Sequence, residues 1–136
     1  MFVVDASVWV SMFLSGDINH EASYRWLHRV IATDVLVAPA VLLPELAGAV
    51  ARQEELSAAG VRATEIIRDF ANVRIVEVDS ELAEASARIA AECRMKGADA
   101  LYVALAAMRG VPLVTWDREQ IERGRVAATV VTPVGA

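Results

Sequence analysis

The chain has 136 residues, a length that reads as one domain and leaves no room for a second catalytic module. With 56% hydrophobic and 23% charged residues it is not a disordered chain, and its longest uncharged stretches (Ala6 to Gly16, Val35 to Pro44) run only roughly ten residues where a membrane span needs roughly 18. A net charge of -5 argues against a passive nucleic-acid binder, because a polyanion would have to meet a local basic patch or a bound cation.

One cysteine, Cys93, excludes an internal disulfide and a Cys-rich zinc site. Met1 to Val4 is too short for a signal core and follows no basic region, so a cytoplasmic domain is expected. Taken in chain order, strand-length apolar runs fall at Phe2 to Val4, Val35 to Val37, Val73 to Val78, Leu113 to Thr115 and Thr129 to Val131. Between them lie stretches of helical period: Ala22, Trp26, Leu27 and Val30, then Ala63, Ile66, Ile67 and Phe70. Leu82, Ala85, Ile89 and Cys93 form the next, and Leu101, Ala104, Leu105 and Met108 the last.

The bulky residues Trp9, Met12, Phe13 and Trp26 are expected mainly in the core, with a dimer or partner surface as the lesser reading. Asp79, with Ser80 and Glu81, opens the helix after the third strand. Gly97 and Gly110 are expected to end helices at positive φ, with Pro112 close behind the second. Alternating strands and helices predict a parallel α/β sheet covered on both faces, with ligands at the carboxyl ends of the strands.

Four carboxylates map to that edge. Asp5 ends the first strand, Asp117 follows the fourth, and Asp99 opens a helix directly after Gly97. Glu45 is the only charge between Asp34 and Arg52, and a carboxylate in so apolar a stretch wants a partner. Taken singly, Asp5, Asp99 and Asp117 are equally well read as helix caps or first-turn acids. Together, four carboxylates at one edge would repel one another unless a cation joined them.

Ligation by oxygen alone selects a hard cation such as Mg2+ or Mn2+ over zinc, and His20 and His28 read as surface residues. Such an ion orients water and neutralises charge building on a phosphoryl group, which makes phosphodiester hydrolysis the natural chemistry. Ser7 and Thr115 stand two residues from Asp5 and Asp117, where their hydroxyls reach carboxylates or metal-bound waters, or cap helices in the ordinary way. Arg94, Lys96 and Arg118 flank the acids and are candidate phosphate contacts, although solvated helix ends are the commoner fate of such charges.

These acids, together with the string Leu-Val-Thr-Trp-Asp-Arg-Glu over residues 113–119, resemble the PIN-domain nucleases, especially the VapC-like toxins of bacterial toxin-antitoxin pairs. The likeness spans the whole chain, 1–136, in length, order and spacing. It implies a three-layer α/β/α fold on a five-stranded parallel sheet and a Mg2+- or Mn2+-dependent ribonuclease. Asp5, Glu45, Asp99 and Asp117 match the family's acidic residues, with Asp5, Asp99 and Asp117 as the metal ligands. The resemblance further implies an RNA substrate, a homodimer, and a small cognate antitoxin whose tail enters the acidic cleft. Trp116 departs from it, standing where the family often has a smaller or polar residue.

Two other Mg2+-binding architectures fit less well. A receiver module needs a lysine after its last strand, and the only lysine is Lys96; a haloacid-dehalogenase-like phosphatase needs an acid two residues after Asp5, and position 7 is serine. A non-catalytic PIN-like or receiver-like interaction module remains as the alternative.

Overall fold

A computed structural model describes residues 1–136. Five strands form one sheet in the order β3-β2-β1-β4-β5, every neighbouring pair parallel. The strands are β1 Phe2–Val4, β2 Leu36–Pro39, β3 Val73–Val76, β4 Leu113–Val114 and β5 Val130–Val131. Each crossover is helical: α1 Ala6–Phe13 and α2 His20–Val30, then α3 Leu42–Glu54 and α4 Ser57–Asp69, then α5 Ser80–Cys93 and α6 Gly97–Arg109. A short α7, Arg118–Arg123, and a 3-10 turn at Gly124–Val126 lead into β5.

The strand order fixes where the helices go. The chain steps outward from β1 to β3, then returns across the sheet to β4 and β5, so right-handed crossovers put α1 to α4 on one face and α5 to α7 on the other. The helix packing agrees, α1 lying on α2 and α3, α3 on α4, and α6 on α5 and α7. The result is a three-layer α/β/α sandwich around one core of 29 buried apolar residues. No helix is long and apolar enough to cross a membrane.

Trp9 and Trp26 are core residues, 0% and 2% exposed, and Met12 and Phe13 pack against the same core. The strand bounds differ from the sequence reading mainly at the edges. β3 stops at Val76 instead of Val78 and carries an exposed Arg74, because an edge strand buries only part of its length. Phe70 follows α4 as its C-cap, and Met108, in the apolar stripe of α6, is 47% exposed.

Asp79 caps α5 as expected, its side chain accepting from the Leu82 N–H at 2.9 Å. Gly110 ends α6 at φ 62. Gly97 does not end a helix; it is the first residue of α6. The left-handed residue closing α5 is Arg94, at φ 52. Met95 explains the substitution: it turns back into the core, 7% exposed, and its N–H bonds the Ala90 carbonyl at 3.1 Å. That apolar contact is the usual companion of a left-handed helix end.

The contact between α3 and α4 depends on Gly60. A Cβ there would lie 2.2 Å from the Ala47 carbonyl oxygen and 3.0 Å from the Ala51 Cβ. Alanine gains about 1 kcal/mol in helix propensity over glycine, whereas overpacking against a backbone that cannot yield costs about 1–3 kcal/mol. Gly60→Ala is therefore expected to lower the urea midpoint, and an unchanged midpoint would mean that the two helices separate freely.

Candidate active site

In the order 3-2-1-4-5 the chain leaves β1 on one side and β4 on the other, so the topological switch point lies between these two central strands. Val4 pairs with Val114, and the Asp5 N–H bonds the Val114 carbonyl at 3.0 Å, which brings the residues after both strands together. Asp5 and Asp117 enter the edge by this pairing. Asp99, in the first turn of α6, and Glu45, in the first turn of α3, come from the two opposite helical layers.

Asp5 is buried, 4% exposed, and both of its carboxylate oxygens are engaged. Oδ2 accepts from the Ser7 N–H at 2.9 Å and from the Thr115 hydroxyl at 3.2 Å; Oδ1 accepts from Gln120 Nε2 at 3.1 Å. Burial raises its pKa, and the donors from Ser7, Gln120 and Thr115 oppose that rise. Asp5 is thus the N-cap of α1 and a member of the acidic edge at once. Asp117 has the same double role, capping α7 through the Gln120 N–H at 2.8 Å. Each carboxylate oxygen can accept about twice, and Asp5 Oδ1 accepts only from Gln120, so a cap does not by itself exhaust the residue's capacity to bind a cation.

The Asp99 side chain is half-buried and accepts no hydrogen bond within the protein. Its pKa is raised to about 6, first by burial and then by the charges of Asp117, Asp5 and Glu45, with Lys96 opposing. Glu45 is raised by burial and by Asp5, while the Tyr102 hydroxyl, donating to Oε2 at 2.6 Å, pulls it down. None of the four acids is in an ion pair. Asp99 thus feels the charges of the other three acids, and Glu45 feels that of Asp5.

Ser7 and Thr115 both meet Asp5. The Ser7 and Thr115 hydroxyls lie 3.3 Å apart, Thr115 donates to Asp5, and its oxygen accepts from the Asp117 N–H at 2.9 Å. Trp116 turns away from the acids: its N–H donates to Ser7 Oγ at 3.0 Å, and its indole Nε1 donates to Ser23 Oγ on α2 at 2.8 Å. Its ring is partly buried and packs against the core. His28 is exposed, but His20 is half-buried, with Nδ1 2.9 Å from the Ser11 carbonyl oxygen, because it opens α2 directly against α1.

Arg94, Lys96 and Arg118 are all exposed. Lys96 acts on Asp99 electrostatically, Arg118 is the first residue of α7, and Arg94 is occupied as a helix end. Two residues at this edge were not singled out from the sequence. Tyr102 was hidden in an apolar stripe, although it lies three residues after Asp99 and so on the same helix face. Gln120, 0% exposed, had a signal in its spacing, three residues after a capping Asp.

The donor set fits a hard divalent cation by its chemistry: carboxylate oxygens only, with no acid in an ion pair. No three His, Cys, Asp or Glu side chains stand in direct ligating geometry around one point. An ion would accordingly draw part of its shell from water, as Mg2+ does with one or two protein carboxylates. Asp5 is buried at this edge, and Glu45, Asp99 and Asp117 are partly exposed.

A sequence model of the PIN domain matches residues 2–126, and the chain belongs to the PIN-domain family. No match was found among curated protein sequences. Solved structures are similar over nearly the whole fold. VapC20 of Mycobacterium tuberculosis, described as a sarcin-ricin-loop-cleaving toxin, is 23% identical with a TM-score of 0.75, over 87% of this chain and 91% of that one. A toxin-antitoxin complex from Klebsiella pneumoniae gives 18% identity and a TM-score of 0.72, over 100% of both chains. A protein from Pyrobaculum aerophilum gives 25% identity and 0.67, over 96% of this chain and 90% of that one.

Proposed function

We propose that this chain is a Mg2+- or Mn2+-dependent endoribonuclease, the toxin of a toxin-antitoxin pair. The observation that carries the reading is the convergence of Asp5, Glu45, Asp99 and Asp117 at the switch point, none in an ion pair, with the charges of the other three raising the proton affinity of Asp99. Asp5, Asp99 and Asp117 would hold the cation; when bound, it lowers the pKa of water and offsets charge on the phosphoryl group. Asp5 is held still by its three donors, so its placement costs little reorganisation. Glu45 is fixed through Oε2 by Tyr102, which leaves Oε1 free to take a proton from the attacking water. Arg94, Lys96 and Arg118 are the basic residues nearest in sequence for the RNA phosphates.

Likeness to VapC20 and to solved toxin-antitoxin complexes supports an RNA substrate and a small cognate antitoxin. An antitoxin arginine presented to these carboxylates would form a charge-assisted pair and compete with the cation. A homodimer in the cytoplasm completes the proposal. A second reading has its own support: Asp5 and Asp117 already serve as caps and no direct ligand triad is preformed, which would suit a non-catalytic PIN-like module. Incubating the protein with total RNA separates the two. Fragments formed in Mg2+ and absent in EDTA are expected; full cleavage in EDTA would contradict metal dependence, and intact RNA in both would favour the binding module.

A further inference from the structure

Gln120 is fully buried and has an uncommon set of partners. Its backbone N–H donates to Asp117 Oδ1 at 2.8 Å, and its side-chain Nε2 donates to Asp5 Oδ1 at 3.1 Å and to the Asp99 main-chain carbonyl at 3.3 Å. One residue thus touches three of the four acid-bearing residues. Chemistry fixes the orientation of the amide, because both partners of Nε2 only accept, and a flipped amide would set Oε1 against them. In this orientation Oε1 is buried with no hydrogen-bond partner. Packing alone gives no reason for an amide here: an apolar side chain of similar volume would fill the space and orphan no oxygen.

We propose that Gln120 is a positioning residue of the metal site. Its amide fixes the Asp5 carboxylate and ties the first turn of α6, which carries Asp99, to the first turn of α7, which Asp117 caps. Without that amide Asp5 keeps only the donors on Oδ2, from Ser7 and Thr115, and Oδ1 is free to swing. The link between the two helix starts is lost as well. Net charge is unchanged, so the effect falls on the placement of the ligands. This role rests on the metal-dependent reading above and deepens it.

The test uses Gln120→Met, which preserves length and volume but cannot donate. Mn2+ is titrated calorimetrically into metal-free wild type and variant, and kcat and KM are measured on a short oligoribonucleotide at saturating Mn2+. Supporting groups around metal ligands typically carry 10- to 100-fold effects, so Mn2+ affinity and kcat should each fall by about tenfold or more, with KM unchanged. A purely structural residue would move the thermal midpoint and leave Mn2+ affinity alone. Should the variant not fold, the wild type still decides through the Gln120 side-chain amide resonances, assigned by through-bond correlation. These should be protected from exchange and should shift in step with Mg2+ binding; resonances that exchange freely or ignore saturating Mg2+ overturn the role. Wild type that binds and cleaves, beside a variant that does both equally well, overturns the role of Gln120 alone. Wild type that neither binds Mn2+ nor cleaves overturns the functional reading, and this role with it.

Discussion

Asp99→Asn is expected to abolish RNA cleavage, by about a thousandfold or more, while making the metal-free protein more stable at pH 7. The two effects have one cause. Asp99 titrates at about 6 in the folded chain, above the ordinary carboxylate near 3.9, because burial and the charges of Asp117, Asp5 and Glu45 disfavour its ionised form. The native state therefore holds a proton more tightly than the unfolded state. Between about pH 4 and pH 6 stability falls as pH rises, and above that range the full penalty is present. Because the side chain is half exposed to water, about 1 kcal/mol is a fair size once screening is allowed for. Asn carries no charge and escapes it. Thermal melts in EDTA should place the variant above wild type at pH 7.5, with the two converging toward pH 4; a variant melting below wild type at pH 7.5 would remove the crowding argument.

Asp5→Ala is expected to go the other way, losing about 3–5 kcal/mol of stability along with activity. The Ser7 N–H, the Thr115 hydroxyl and the Gln120 amide all donate to this one buried carboxylate, and alanine leaves all three without it. Each unsatisfied buried donor costs about 1–3 kcal/mol and the lost cap of α1 adds about 1, but the losses do not sum fully, because the Gln120 amide keeps the Asp99 carbonyl and the Thr115 hydroxyl can turn to Ser7 Oγ. Asp5→Asn should stay well above Asp5→Ala, because its amide oxygen still accepts from Ser7 and Thr115, and shedding a charge that burial disfavours offsets the hydrogens it sets against the Gln120 amide. Denaturant midpoints at neutral pH should place Asn near wild type and Ala well below both. Equal midpoints for all three would mean that Asp5 does not organise the edge.

Much of this arrangement is written locally. The five apolar runs, the capping Asp79 and the left-handed Gly110 each have a short-range signal, and alternation with helices is enough to predict a parallel sheet. The acids after β1 and β4 were legible for the same reason, because a parallel sheet places every strand's carboxyl end at one edge. Gly97 misled because glycine permits a left-handed helix end without requiring it, and the burial of Met95 placed that end at Arg94. Gln120 and Tyr102 escaped notice because their partners lie far away in sequence. Asp5 is 115 residues from Gln120, and Glu45 is 57 from Tyr102. No local period encodes such pairs. Asp5 and Asp117 do cap helices, as the reading of single residues allowed, and their role as ligands is part of the proposal.

The central claim is that the four acids form one metal-dependent hydrolytic site, and cleavage of a labelled oligoribonucleotide tests it most directly. One preparation of wild type and one of Asp99→Asn would be stripped with EDTA, assayed, and assayed again after Mn2+ is restored. Wild type silent in EDTA and active on return of Mn2+, beside a variant silent in both, is the predicted result. Cleavage by wild type that ignores EDTA, or by Asp99→Asn at the wild-type rate, would contradict it.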